Sequence, residues 1–189
     1  IDRDTACVIL EPMTFEFPED GFLQRVQAIC RNHGALLVFD EMWTGFRFAL
    51  GGAQELFGIT ADLACYSKAI ANGMPLAVLA GRAEVMDLLD EDVFFFSTFG
   101  GEVLSLAAAL ATLDEMQAHD VPAYLARQGE KLQSGYNAMA RMLGVSDYTR
   151  CIGHPSRTIV VFDSCAGDPL LMKSLVQQEL IKRGILWSG

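Results

Sequence analysis

Where apolar runs end, this chain places polar side chains able to bind or transfer groups. Glu11 closes the run at residues 6–10, Asp40 and Glu41 close the run at 35–39, and Lys68 follows the run at 63–66. Asp40 comes after uninterrupted apolar residues, so its carboxylate emerges at the rim of a core, where a lone negative charge is costly and a cationic partner valuable. A helix cap or a surface ion pair would satisfy it too. Lys68 stands between apolar neighbours, ahead of a glycine-containing turn. An amine held in an apolar pocket sheds its proton more readily, which suits Schiff-base formation and proton shuttling. The competing reading is a solvated loop lysine. An acid and an amine on neighbouring strands would together hold a cationic heterocycle between them. Further on, Ser97 and Thr98 precede the Gly100-Gly101 pair and an alanine-rich helix. Hydroxyls and freed amides at a positive helix end make either an anion site or an ordinary N-cap.

These residues need elements to position them. Residues 6–10 read as a buried strand. From Glu19, Phe22, Leu23, Val26, Ile29 and Cys30 recur at helical spacing, acids sit at the first turn, and Asn32-His33-Gly34 supplies a stop. A second strand at 35–39 completes a strand–helix–strand unit, the repeat of a parallel sheet. A glycine-rich connection over 44–58 leads to a third strand at 63–66, a turn region ending at Asn72-Gly73-Met74-Pro75, and a fourth strand at 76–80. Helices are expected over 82–89, over 102–118 and from Pro122 to about Leu143. Residues 144–155 are a candidate hinge, followed by a strand at 158–162, a helix at 169–182 and a last apolar step at 185–187. The fold class is α/β. Ligands of such open sheets collect outside the carboxyl ends of the strands, where the residues singled out above would lie.

Composition narrows the function classes. Of 189 residues, 51% are hydrophobic and 20% charged, enough apolar surface to offset the entropy of ordering the chain. Fourteen Lys and Arg against 24 Asp and Glu give a net charge of −10, which repels polyphosphates and anionic membranes. Nucleic acid and membrane are not the expected partners. Cys7, Cys30, Cys65, Cys151 and Cys165 are odd in number and never spaced as C-x-x-C, so neither a disulfide framework nor a thiolate zinc site is indicated, and a reducing, cytoplasmic setting fits. The three histidines lack metal-ligand spacing, and no metal is expected. The apolar stretch at 69–81 is too short to span a bilayer. The chain opens at Ile1 without a methionine and is expected to be a piece of something longer.

Leu36-Leu37-Val38-Phe39-Asp40-Glu41, then Thr44-Gly45-Phe46-Arg47, Asp62-Leu63, Ser67-Lys68 and Asn72-Gly73-Met74-Pro75-Leu76 together resemble the signature of class III pyridoxal-phosphate-dependent aminotransferases. Within that class, Thr44-Gly45-Phe46-Arg47 followed by Ala49-Leu50-Gly51-Gly52-Ala53-Gln54 is most similar to the glutamate-1-semialdehyde 2,1-aminomutase branch. The resemblance implies a fold-type I large domain, a mostly parallel sheet flanked by helices, over residues 1–144 with its N-terminal portion missing. Residues 145–189 would then begin a small α/β C-terminal domain.

It further implies pyridoxal 5′-phosphate as cofactor, held through a Schiff base on Lys68, with Asp40 paired to the protonated pyridine nitrogen and Met42 against the ring face. Thr98 resembles the residue that reaches the cofactor phosphate of the partner subunit, so a homodimer is implied. Glu16 falls where some class members place a glutamate that gates the substrate carboxylate, although the aminomutase branch has no acid there. The activity implied is amino transfer between an amine or amino acid and a carbonyl substrate, or the intramolecular version in an aminomutase. Departures from the class pattern include Ala77-Val78 in the segment after Pro75, and Glu102 in place of an asparagine after the Gly-Gly pair. Two other readings stand beside this one. A catalytically inactive remnant would keep only the association surfaces. Phosphoryl chemistry would use Asp40 and Glu41 with magnesium, although no G-x-x-x-x-G-K-[ST] is present to cradle phosphates.

Overall fold

Leu37 and Phe39 have no exposed surface, and the strand that carries them, β2 (Leu36–Asp40), organises the first part of the fold. The structure is a computed structural model that describes residues 1–187. It divides into two units, Ile1–Tyr124 and Leu125–Gly189.

In the first unit β1 (Cys7–Leu10), β2, β3 (Leu63–Tyr66) and β4 (Val78–Gly81) form one sheet in that order. β1, β2 and β3 run parallel, and β4 returns antiparallel to β3. The mostly parallel α/β sheet expected from the sequence is therefore present. α1 (Phe22–His33) crosses from β1 to β2, and α2 (Gly52–Phe57) crosses from β2 to β3. Leu23 and Cys30, seven residues apart on one face of α1, meet Leu37, Phe39, Ile59, Ala61 and Ala64 in a common core, with Phe57 packed against it. Gln27 Nε2 of α1 donates to the Thr60 carbonyl at 2.6 Å, fixing the helix to the loop that enters β3. Gly34 stops α1 in the left-handed conformation, φ 72°, the stop read from the sequence.

Several elements differ from expectation. β1 is an edge strand with only one side covered: Val8 and Leu10 pack on the core, while Cys7 and Ile9 are exposed. The glycine-rich connection at 44–58 contains α2, which its glycines disguise. The helix expected over 82–89 is two short turns, α3 (Ala83–Met86) and α4 (Leu88–Glu91); neither buries a side chain, so no packing sustains a continuous helix. The acids at 19–20 precede α1 rather than occupying its first turn, because Gly21 is its N-cap. α5 (Val103–His119) follows.

In the second unit, the part of α6 (Val121–Met142) beyond Tyr124 packs on a hairpin of β5 (Thr149–His154) and β6 (Arg157–Phe162), and α7 (Pro169–Lys182) completes it. The candidate hinge at 144–155 is thus largely a strand. Asn137 of α6 explains why so polar a segment is extended: its Nδ2 donates to the Cys151 carbonyl at 2.9 Å, and its Oδ1 accepts from the Cys151 amide at 2.8 Å. α7 has the bounds read from the sequence, with Asp168 accepting from the Leu170 amide ahead of Pro169. The apolar step at 185–187 is irregular, and its expected continuation to Gly189 lies outside the described residues. Among the described residues, no helix is long and apolar enough to cross a membrane.

Candidate active site at the carboxyl edge of the sheet

Asp40 ends β2 and stands in register with Cys65 of β3, three residues before Lys68. Because β2 and β3 are parallel, both strands deliver these residues to the same edge of the sheet. Asp40 is half-buried, and its Oδ1 accepts from the Met42 amide at 3.0 Å, turning the chain out of the strand. Its charge is felt by Cys65, whose thiol is pushed up first by burial and then by the neighbouring carboxylate.

The adjacent acid is used differently. Glu41 is fully buried, and its carboxylate accepts from Thr44 Oγ1 at 2.5 Å, the Ala53 amide at 2.8 Å and the Gln54 amide at 3.0 Å. It caps the start of α2, where the free helical amides attract an anion. Gly52 permits this approach: it has φ 67°, and a Cβ there would lie 2.5 Å from Glu41 Oε2. Gln54 extends the brace, donating to Tyr66 Oη at 2.7 Å and accepting from the Ala61 amide at 2.9 Å. Gly45 lies so close to Tyr66 that a Cβ would come within 2.6 Å of the ring. The Thr-Gly-Phe-Arg and Gly-Gly-Ala-Gln segments are thus the hardware that ties the loop after β2 to the end of β3. Glu41 thus has both carboxylate oxygens engaged by protein donors, a structural role. Among the described residues, no group of three or more His, Cys, Asp or Glu could hold a metal ion.

Lys68 opens a short 3₁₀ turn, Lys68–Ile70, in the left-handed region with φ 49°. That conformation is disfavoured for a residue with a Cβ and is held by its surroundings. Ser67 Oγ donates to the Leu76 carbonyl at 2.6 Å, and the Asn72 amide donates to the Lys68 carbonyl at 3.0 Å. β4 starts at Val78 rather than at residue 76. The lysine is exposed, not enclosed in an apolar pocket as the sequence suggested; its Nζ lies 4.2 Å from the centroid of the Trp43 ring. Trp43 escaped the sequence reading, which singled out Met42 alone in this loop. The available signal was an aromatic three residues beyond an acid that ends a strand.

Asp40, Met42, Trp43 and Lys68 are the residues this edge assembles. Met42 is half-buried. Thr98 lies in an exposed turn ahead of α5, and Glu16 in the exposed segment between β1 and α1. Of the two readings open for the start of α5, an N-cap is present, and it is Glu102, whose Oε1 accepts from the Leu104 amide at 2.7 Å and whose Oε2 accepts from the Ser105 amide at 2.8 Å and Ser105 Oγ at 2.6 Å. The chain's own carboxylate occupies that helix end, and these bonds, the one from Ser105 Oγ foremost, hold its pKa below the usual glutamate value.

The comparisons with known proteins agree with this architecture. The aminotransferase class-III family profile matches residues 1–153. A glutamate-1-semialdehyde 2,1-aminomutase from Alkaliphilus oremlandii is 43% identical over 140 residues, 70% of this chain and 33% of the relative. A β-phenylalanine aminotransferase from Variovorax paradoxus superposes with TM-score 0.88 at 30% identity, over 98% of this chain and 46% of that one. The FumI protein of Sphingopyxis sp. MTA144, solved in its PLP internal aldimine form, superposes with TM-score 0.79 at 28% identity, over 86% of this chain and 40% of that one. The chain thus spans between a third and a half of the proteins it matches. With its parallel strands, its braced loop after β2 and a profile match over most of its length, the chain belongs to the class-III aminotransferase family.

Proposed function

We propose that this chain is part of a pyridoxal 5′-phosphate-dependent aminotransferase that moves an amino group between an amine or amino acid and a carbonyl acceptor. One observation carries the reading: Asp40 ends β2 and Lys68 follows the end of the adjacent parallel strand β3, so a carboxylate and an amine leave the sheet at the same edge. That donor set fits the cofactor's two reactive ends. Lys68 Nζ would hold the cofactor covalently, Asp40 would keep the pyridine nitrogen protonated, and Met42 would lie against the ring. When bound, the cofactor supplies an electron sink for the pair left when the substrate Cα–H breaks. Asp40 sustains that sink through its charge. Lys68 Nζ, freed as an amine by the incoming substrate, accepts the Cα proton and returns it at the neighbouring site. Thr98 would reach the cofactor phosphate of a second subunit, and Glu16 would gate the substrate carboxylate.

The aminomutase reading, in which nitrogen returns to the neighbouring carbon of one substrate, is favoured by the Alkaliphilus oremlandii relative. A homodimer is supported by the exposed apolar surface around Thr98: Phe94, Phe95, Phe96, Phe99, Val103 and Leu104 all face solvent. We assign residues 1–144 to the large domain and 145–189 to the beginning of the small one, and we place the protein in the cytoplasm on the strength of its five free thiols. Added pyridoxal phosphate is expected to give a visible absorption band that Lys68→Ala abolishes, with amino transfer falling about 10²–10⁴-fold. A band that survives Lys68→Ala would overturn the reading; absence of any band would leave only the association role.

A further inference from the structure

Ser67 stands between the last paired residue of β3 and Lys68, and its side chain extends that pairing by one step. The register of β3 with β4 runs from Leu63 opposite Gly81 to Tyr66 opposite Val78. One residue on, Ser67 Oγ donates to the Leu76 carbonyl at 2.6 Å, so a hydroxyl joins the two limbs just beyond the ladder. The loop between those limbs is conformationally costly. Lys68, Asn72 and Gly73 have φ 49°, 43° and 112°, and the first two carry a Cβ that disfavours the left-handed region. The far part of the loop is seated by packing, with Ile70 and Ala71 buried in one cluster with Ala109 of α5. The near part is not: Ser67 is half-buried and Lys68 exposed.

We propose that Ser67 is a positioning residue for Lys68: its hydroxyl bond to the Leu76 carbonyl helps hold the lysine main chain in the left-handed conformation and so fixes the direction in which the side chain leaves β3. The inference rests on the reading of Lys68 given above. It concerns the backbone of the lysine and is indifferent to what the amine itself touches. Rotation about the N–Cα bond of Lys68 swings its Cβ relative to the strand. A turn relaxed to an ordinary negative φ would therefore send the amine along a different line, while Asp40 stays where β2 puts it. Ser67 itself is extended, with φ −162° and ψ −151°, a backbone that any residue adopts. What the serine contributes at this place is thus its hydroxyl. The extended backbone also suits β-branched side chains, which makes the hydroxyl separable from shape by substitution.

The test compares Ser67→Thr with Ser67→Val, two substitutions of one shape of which only the first keeps a hydroxyl, alongside Ser67→Ala. Rapid mixing of the whole protein, freed of cofactor, with pyridoxal phosphate reads the rate of capture. Hydrogen exchange at the Asn72 amide, which donates to the Lys68 carbonyl, reads the turn without cofactor, and thermal unfolding reads folding. Loss of the bond is expected to slow capture about tenfold and to speed Asn72 exchange about tenfold in Ser67→Ala and Ser67→Val, with Ser67→Thr within about twofold of wild type on both. Exchange at the Met42 amide, bonded to Asp40, should not change. Should Ser67→Val not fold, the contrast between Ser67→Ala and Ser67→Thr decides. Capture by Ser67→Ala at the wild-type rate would overturn the inference, as would equal slowing in folded Ser67→Thr and Ser67→Val. Faster exchange at Asn72 and Met42 alike would also overturn it, since that marks a loosened fold and not a loosened turn. Borohydride fixation at another lysine in the wild type, or no capture at all, would instead bring down the assignment of Lys68, and this inference with it, whatever the exchange at Asn72.

Discussion

Asp40 and Glu41 are neighbours of the same charge, and their environments give them opposite consequences. Glu41 is buried and bonded to two helical amides and a hydroxyl. Replacing it with alanine strands those donors away from water, at a cost of about 3 kcal/mol, which urea unfolding would measure. Asp40 stands at the rim, with one oxygen turned to the Met42 amide. Asp40→Asn keeps that acceptor and the side-chain shape. Under the proposed function it is expected to leave the urea midpoint in place while lowering amino transfer about 10²–10³-fold, because only the charge proposed to pair with the cofactor is lost. Sequence could show that both acids end an apolar run, but not which was structural. Glu41's partners are Ala53 and Gln54, 12 and 13 residues onward, and only the left-handed turn at Gly52 brings them back. Trp43 was hidden for a related reason, since its contact with Lys68 exists only once β2 and β3 are side by side.

Elements whose burial pattern is written in their own residues were legible, such as α1 with Leu23 and Cys30 on one face and α7 between Asp168 and Lys182. Those that depend on partners elsewhere were not. β5 carries Arg150, Gly153 and His154 and reads as a hinge, yet Asn137 of α6 satisfies both backbone groups of Cys151. Asn137→Ala should therefore lower stability by about 1–3 kcal/mol and speed amide hydrogen exchange at Cys151, detectable by mass spectrometry. At α5 the N-cap is Glu102, with its pKa below the ordinary glutamate value. A folded-state pKa lower than the unfolded one adds stability above the unfolded value, and that stability is lost as pH falls through the folded one. The thermal advantage of wild type over Glu102→Gln should be full at neutral pH and shrink as pH drops below 4.5. An advantage independent of pH would show that the cap does not act through its charge.

At the largest scale, the exposed aromatic run Phe94-Phe95-Phe96 with Val103 and Leu104 is the apolar surface that the proposed homodimer would cover. Sedimentation is expected to find a dimer, and Phe95→Asp combined with Val103→Asp to shift it toward monomer; a monomeric wild type would leave Thr98 without a partner site to serve. Family membership and the site at the sheet edge meet in one residue. Lys68 shares the chain with only three other lysines, Lys131, Lys173 and Lys182, all on α6 and α7. Borohydride reduction of the protein with pyridoxal phosphate, followed by peptide mapping, therefore tests the account most directly. It predicts one phosphopyridoxyl group per chain, on Lys68; label on α6 or α7 with Lys68 unmodified would contradict it.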